Sequence, residues 1–140
     1  MAYGSVKVDS IVTTNKTVTV DDLSSTGTNQ TFTKAQRGAV VALTSASTVT
    51  ADFAAGNNFS ITLGHNVTVA NPSNLVAGQS GCIVITQSSG TLRSLSWGNK
   101  WKFVGGSAPD ATQSSSAVDI LAYFVESSSR ISATLLSDVK

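Results

Sequence analysis

Apolar and polar residues alternate with a period of two through most of the chain. Phe59, Ile61 and Leu63 alternate with polar neighbours, as do Val67 and Val69. Successive side chains of a strand point to opposite faces, so this pattern predicts β-strands with one face buried. The density of Thr and Val favours strands further, because a branched Cβ restricts χ1 and suits a pleated surface.

Further strands are predicted on both sides of this region. Residues 38–53 are expected to form two strands that are separated at 45–47, and residues 117–136 a closing hairpin. Residues 82–87 are apolar at consecutive positions, which is typical of a central strand covered on both faces. Residues 32–37 are the one place where a short helical turn is expected. Regularly spaced Gly, Asn and Ser clusters favour a sandwich or barrel, and no internal repeat of solenoid period is apparent.

The N-terminal segment, 1–30, differs from the rest because a Ser-, Thr- and Asn-rich stretch there lacks apolar anchors. Such a segment cannot bury enough surface alone to offset its ordering entropy, so we expect it to lie on a partner chain. Its predicted partner contacts are Tyr3, Val6, Val8 and Ile11. We therefore predict an extended N-terminal arm and linker at residues 1–37, followed by an all-β, jelly-roll-like β-sandwich at residues 38–140.

Composition excludes several classes of protein. Of the 140 residues only 12% are charged, 41% are hydrophobic, and the net charge is +1. Such a chain is expected to fold, and scattered basic residues argue against nucleic-acid binding. With one cysteine, Cys82, and one histidine, His65, neither an internal disulfide nor a four-ligand Cys/His zinc site can form, and no cofactor is predicted. Charges near the N-terminus and the lack of a long apolar run predict synthesis in a cytoplasm without a signal peptide or membrane span.

Candidate catalytic residues do not form a recognisable group. His65 lies in a Gly-His-Asn sequence, where a turn role is favoured over a catalytic one. Asp21 and Asp22 are adjacent, so on a strand they would point to opposite faces and could not act as an acid/base pair. Cys82 begins an apolar strand without a charged neighbour and is expected to be a buried, inert thiol. The sequence therefore predicts a protein that is not an enzyme.

Residues 95–106 contain both tryptophans together with a phenylalanine and two lysines. The Gly-Asn pair at 98–99 is typical of a hairpin turn, and Trp101 and Phe103 alternate around a lysine. We therefore favour a hairpin whose aromatic face contacts the core or another subunit, with Trp97, Trp101 and Phe103 as predicted partner contacts. Stacking on a sugar or a base is the alternative, since aromatic rings with interleaved cations bind such ligands.

Short motifs are distributed over about residues 50–140. They include Asp52-Phe53, Asn58-Phe59-Ser60-Ile61-Thr62-Leu63, Asn71-Pro72-Ser73-Asn74-Leu75, Ala77-Gly78-Gln79-Ser80-Gly81, Ile85-Thr86-Gln87, Trp97-Gly98, Trp101-Lys102-Phe103, Gly105-Gly106 and Ala117-Val118-Asp119. In this succession the chain resembles a β-rich module of tailed-bacteriophage virion proteins, especially those of cyanophages and related marine phages. The resemblance implies homotrimers with a jelly-roll-like fold, on capsid decoration or cement proteins or at the ends of head or tail fibres. It implies no catalytic residues.

The expected function is therefore that of a capsid decoration protein on the particle surface, which binds its own copies and the major capsid protein or a neighbouring virion protein. The alternative is a fibre tip or adhesin that recognises a host glycan through Trp97 and Trp101. An enzyme such as a polysaccharide depolymerase is the least favoured class, because no carboxylate pair is apparent. Neither nucleic acid nor a membrane is an expected partner.

Overall fold

A computed structural model of the chain describes residues 10–13, 16–19, 35 and 37–140. The chain divides into two units, Met1–Gln36 and Arg37–Lys140, and each is described by itself. The predicted contacts Tyr3, Val6 and Val8 lie outside the described residues. So does most of the segment for which a helical turn was expected.

In the first unit, β1 (Ser10–Thr13) and β2 (Lys16–Thr19) pair antiparallel, with Ile11 beside Val18. These residues form a hairpin within the segment that the sequence predicts to be an extended arm and linker. The pairing is understandable because a lone strand leaves its backbone N–H and C=O groups without partners, whereas a hairpin pairs one row of them. The contact that was predicted for Ile11 with a partner chain stays a prediction.

In residues 37–140 the strands form a six-stranded and a three-stranded sheet. The strands are β3 (Val40–Ala42), β4 (Thr48–Val49), β5 (Asn58–Thr62), β6 (Val67–Val69), β7 (Ser80–Thr86), β8 (Leu95–Trp97), β9 (Trp101–Phe103), β10 (Val118–Ser127) and β11 (Arg130–Leu136). The large sheet has the order β3-β5-β7-β10-β11-β9 and the small one β4-β6-β8. Buried side chains of both sheets belong to one hydrophobic core. The all-β class is therefore confirmed.

From β3 to β8 consecutive strands alternate between the two sheets, and each runs parallel to the previous strand of its own sheet. In the large sheet Val40 lies beside Asn58 and Asn58 beside Cys82, while in the small sheet Val69 lies beside Trp97. The separations of these partners along the chain are unequal. The chain therefore winds in coils of different length, with the connectivity of a parallel β-helix. The unequal coils explain why no repeat of fixed period is visible in the sequence.

This topology corrects the expected jelly roll, whose strands pair antiparallel. In residues 37–140, antiparallel pairing joins only β7 with β10 and β10 with β11, while the other strand pairs are parallel. The alternation of side chains does not specify the direction in which neighbouring strands run. A period of two shows which face of a strand is buried, but the direction of its neighbour depends on connections between strands that are distant in sequence.

Several individual predictions are confirmed. Residues 38–53 contain two strands, β3 and β4, with the break at the expected place. The apolar run at 82–87 falls largely in β7, which lies third among the six strands. β10 and β11 form the closing hairpin. In β5, Phe59 and Ile61 point into the core, as the alternation predicted.

The hairpin that was predicted at Gly98 and Asn99 is wrong. β8 belongs to the small sheet and β9 to the large one, so the chain turns a corner between the sheets. The Gly98 N–H donates to the Val69 carbonyl at 2.8 Å, and the Trp101 N–H donates to the Gly98 carbonyl at 3.2 Å. A Cβ on Gly98 would lie 2.5 Å from Asn71 Oδ1, so glycine allows the two coils to approach. The turn sequence indicates a change of direction, but it does not determine which strands pair.

Side-chain hydrogen bonds also join equivalent positions of neighbouring coils. They link the hydroxyls of Thr68 and Ser96 at 2.8 Å, Asn71 Nδ2 to Asn99 Oδ1 at 2.9 Å, and the Ser94 N–H to Asn66 Oδ1 at 3.1 Å. Each such bond contributes about 0.5–1.5 kcal/mol net. The Ser, Thr and Asn content of this region therefore stabilises the stacking of coils.

Candidate functional site

Aromatic rings form a cluster inside the Arg37–Lys140 unit. The ring of Phe53 stacks on that of Tyr123 with centroids 4.7 Å apart, and Trp101 meets them edge-on at 6.3 and 6.1 Å. Trp97 meets Trp101 and Phe103 edge-on, at 5.6 and 5.0 Å. Aromatic pairs in these geometries contribute about 0.5–1.5 kcal/mol each beyond the burial of their surface. The cluster is thus a packing element that joins both sheets.

The tryptophan ring nitrogens are used within the chain. Trp101 is 4% exposed and its Nε1–H donates to the Ala70 carbonyl at 3.0 Å. Trp97 is half-buried and its Nε1–H donates to the Pro109 carbonyl at 2.7 Å. The core interpretation is confirmed for Trp101, which offers almost no surface to a partner. Trp97 and the half-buried Phe103 retain some exposed surface, and their contact with a partner stays a prediction.

Asp119 is a buried carboxylate in β10 that sequence reasoning did not single out. It accepts hydrogen bonds from the Thr112 N–H at 2.8 Å, the Thr112 hydroxyl at 2.6 Å and the Asp138 N–H at 2.8 Å. An acid within the apolar run of β10 is the sequence signal that could have identified it, since a carboxylate is buried only where it has partners. Asp119 fastens the loop before β10 and the C-terminal residues to the sheet.

Gln87 lies directly after β7 and is, like Asp119, a buried polar side chain. Its Nε2 donates to the carbonyls of Arg93 at 2.8 Å and Thr112 at 3.2 Å, and its Oε1 accepts from the N–H groups of Ser88 at 2.9 Å and Arg93 at 3.0 Å. All hydrogen-bonding groups of this side chain are satisfied. Gln87 and Asp119 both bind Thr112, so the buried polar residues of this unit serve the packing of loops.

His65 lies in an exposed bend between β5 and β6. Its Nδ1 is 3.3 Å from the Ser45 hydroxyl, which also accepts the Gly64 N–H at 2.9 Å. The hydroxyl thereby ties the loop after β3 to the bend after β5. This geometry agrees with the turn role that was predicted for His65.

Two exposed carboxylates accept hydrogen bonds from residues that lie close to them in the fold. Hydrogen bonds from Asn74 and the Ala54 N–H hold the pKa of Asp52 below its usual value. A hydrogen bond from the Ser132 hydroxyl, with a smaller contribution from Arg130, lowers the pKa of Glu126. Within the described ranges, no group of three or more His, Cys, Asp or Glu side chains is arranged to hold a metal ion. In the same residues there is no helix that is long and apolar enough to span a bilayer.

The candidate functional site is the outer face of the large sheet, the face opposite the core. We define this outer face by two cross-strand rows and Phe124. The rows are Val40, Asn58, Cys82, Ala122 and Thr134, and Ala42, Ser60, Val84, Ile120 and Leu136. Every one of these side chains is half-buried or exposed, and none belongs to Asp, Glu, Lys, Arg or His. Cys82, expected in the interior, is half-buried here, and its Sγ–H donates to Asn58 Oδ1 at 3.5 Å.

One end of the outer face is bounded by a protruding turn. Val104 opens a 3-10 turn, Val104–Gly106, and is largely exposed. Between it and the sheet lies an open depression of about 350 Å³ whose lining includes Ala122, Phe124 and Thr134. Charged residues stand at this end, where Arg130 Nε and Glu126 Oε2 form a salt bridge of 2.8 Å. The rest of the outer face presents hydroxyl, amide and apolar groups.

No protein-family model, curated protein or solved structure matches this chain.

Proposed function

We propose that this chain is a structural protein of a tailed-bacteriophage particle, a decoration or cement protein that binds the outer capsid as a homotrimer. The observation that carries the proposal is the outer face, an uncharged and partly apolar surface on a well-packed β domain. The sequence motifs that resemble virion proteins support the same assignment.

The chemistry of the described residues supports a role through contact. The buried polar side chains Gln87 and Asp119 have their partners within the fold, and the aromatic rings pack on one another. What the domain offers to another molecule is therefore surface shape and many weak contacts. A protein that binds only the assembled shell stabilises that shell by mass action and so opposes the pressure of packaged DNA.

The fibre-tip alternative receives less support from the geometry. That alternative relies on exposed ring faces of Trp97 and Trp101 on which a sugar stacks. Trp101 is buried, while Trp97 packs against both Trp101 and Phe103.

The copy number of the chain on purified particles tests the proposal. A shell-decorating protein follows the symmetry of the capsid and is expected at hundreds of copies, whereas a fibre tip is expected at tens. Stained gels that use the major capsid protein as internal standard give this number. Absence of the chain from purified particles, or a copy number in the tens, would contradict the assignment.

A second experiment tests the N-terminal unit. Deletion of residues 1–20 is expected to abolish attachment to particles that lack the chain, while the remaining protein stays folded and oligomeric. Full-length protein added to the same particles is the control. Attachment of the truncated protein at the full-length level would remove the anchoring role from this unit.

A further inference from the structure

We infer that a second copy of this chain covers the outer face, with the β10 and β11 half of one face lying on the β3 and β5 half of the other. This inference deepens the proposed function, because it names the surface through which copies associate. It differs from capsid binding, which concerns another partner.

The two rows of the outer face lack charge. The cores of protein interfaces are depleted of charged residues, since a charge buried without a partner is costly. The nearest charged groups stand at one end of the face: they are Glu126, Arg130 and Lys102, which shares a cross-strand row with Phe124. Two copies can therefore bring these faces together without burying an unpaired charge.

The residue pattern of the two central strands also points to a covered outer face. β7 and β10 carry apolar side chains on both alternations: Ile83 and Leu121 point into the core, while Val84 and Ile120 point outward. Strands that are apolar at consecutive positions are typical of sheets covered on both faces. Within residues 37–140 only one face of these strands is covered by the core.

The two rows are complementary in shape to themselves. One row has its large side chains, Ile120 and Leu136, on β10 and β11 and its small ones, Ala42 and Ser60, on β3 and β5. The other row is arranged the opposite way, with Val40 and Asn58 on β3 and β5 and the smaller Ala122 and Thr134 on β10 and β11. In a dimer, a two-fold axis parallel to the strands places the β10 and β11 half over the β3 and β5 half, so large side chains meet small ones in both rows. In a trimer, the β10 and β11 half of each face meets the β3 and β5 half of the next. This is the self-complementarity that an interface between identical chains requires.

The outer face has the area that an interface between two copies needs. The five strands that carry the two rows contain 32 residues, and each residue occupies about 4.8 by 3.3 Å of the sheet, which gives a face of about 500 Å². Covering one such face with another removes about 1,000 Å² from water. A specific interface buries about 1,000 Å² or more, so the area buried between two outer faces reaches what an interface between two copies needs.

A matched pair of double variants tests the inference. In the face variant, Val40→Lys and Leu136→Lys place one lysine on each half of the outer face. In the control variant, Val76→Lys and Leu92→Lys make the same changes in loops outside the sheets. The positions are comparable, because Val40 and Val76 are 60% and 65% exposed and Leu136 and Leu92 are 53% and 41% exposed. Near-ultraviolet circular dichroism of the packed tryptophans verifies that each variant is folded.

The mass in solution and the reactivity of Cys82 are the two readouts. Analytical ultracentrifugation is expected to give a multiple of the 14.4 kDa chain mass for the wild type and the control variant, and the single-chain mass for the face variant. Cys82 is the only cysteine and lies in the middle of the outer face. Its labelling by a maleimide should be slow in the wild type and the control variant, and fast in the face variant.

The outcomes separate this inference from the proposed function. A trimer with a protected Cys82 supports both, whereas a dimer with a protected Cys82 supports the inference and refutes the trimeric part of the proposed function. A wild type that remains a monomer at tens of micromolar overturns the inference, as does a face variant that matches the control variant in mass and labelling. If the wild type is a monomer and the face variant no longer binds particles, the capsid and not a second copy covers the outer face, and the inference is overturned.

Discussion

Gly81 provides the sharpest test of the coiled packing. It lies in β7 beside Tyr123 of β10, with its missing side chain directed toward the core. A Cβ at this position would be 1.7 Å from the Asn57 carbonyl oxygen and 2.9 Å from the Tyr123 hydroxyl. The Tyr123 hydroxyl donates to that same carbonyl at 2.6 Å. We predict that Gly81→Ala destabilises the protein severely, because backbone of the preceding coil has to move.

The magnitude follows from two contributions. The Asn57 oxygen has to retreat from 1.7 Å to beyond 3.0 Å, a forced backbone shift for which overpacking costs about 1–3 kcal/mol. The shift also breaks the Tyr123 hydrogen bond, and a buried hydroxyl or carbonyl left without a partner costs about 1–3 kcal/mol. The expected loss is therefore about 2–6 kcal/mol, a large part of the about 5–15 kcal/mol by which domains are stable.

Urea unfolding followed by tryptophan fluorescence measures this loss. Gly90→Ala is the matched control, because its Cβ would meet nothing closer than the Ser88 hydroxyl at 3.9 Å, and it should leave the unfolding free energy nearly unchanged. Tyr123→Phe isolates the hydrogen-bond contribution, so the double variant with Gly81→Ala should lose less than the sum of the two single variants. A Gly81→Ala protein whose unfolding free energy lies within about 0.5 kcal/mol of the wild-type value, the range of ordinary surface substitutions, would refute the close approach of the coils.

Three further predictions concern single side chains. Asp119→Asn should lower the unfolding free energy in urea by about 1–3 kcal/mol, because its new NH₂ group leaves one N–H donor, such as that of Thr112, without an acceptor. Asn71→Ala should cost about 1–3 kcal/mol in the same assay, since the Lys100 N–H loses its acceptor at 2.9 Å. Burial raises the pKa of Tyr123 to about 12, so between pH 10 and 12 the unfolded chain deprotonates first and stability should fall by up to about 1.4 kcal/mol per pH unit. This fall should be absent from Tyr123→Phe, and an equal fall in both proteins would contradict the assignment.

The sequence predicted most of the strands but not how they pair. Phe59 and Ile61 lie in the core as expected, because burial of alternate side chains is a local property of a strand. Parallel pairing such as that of β5 with β7 joins residues of successive coils through connections of irregular length. Nothing in a local pattern of period two specifies such a partner, so antiparallel neighbours were expected where the structure has parallel ones.

Sequence reasoning also missed the residues that organise the loops. Gln87 resembles an ordinary polar residue next to a strand, and the one local signal of Asp119 is an acid inside an apolar run. The role of both side chains depends on their contacts with Thr112, which is distant from Gln87 in the sequence. By contrast, Trp101 was assigned to a contact with the core or another subunit because its size and alternation are local features, and it lies in the core. The aromatic cluster could be anticipated, while the polar anchors required knowledge of which loops meet.

The apolar run in β7 carries both a confirmed prediction and an open one. Consecutive apolar residues led us to expect a central strand covered on both faces, and β7 is indeed central. The inward positions, Ile83 and Ile85, are covered by the core, while the outward positions, Cys82 and Val84, are half-buried. A strand gains about 25 cal/mol for each Å² of apolar surface removed from water, and part of that gain is not realised on its outward face. The same pattern that located the strand within the sheet therefore predicts a second layer over it, and a copy of this chain is the layer whose charge, shape and area fit.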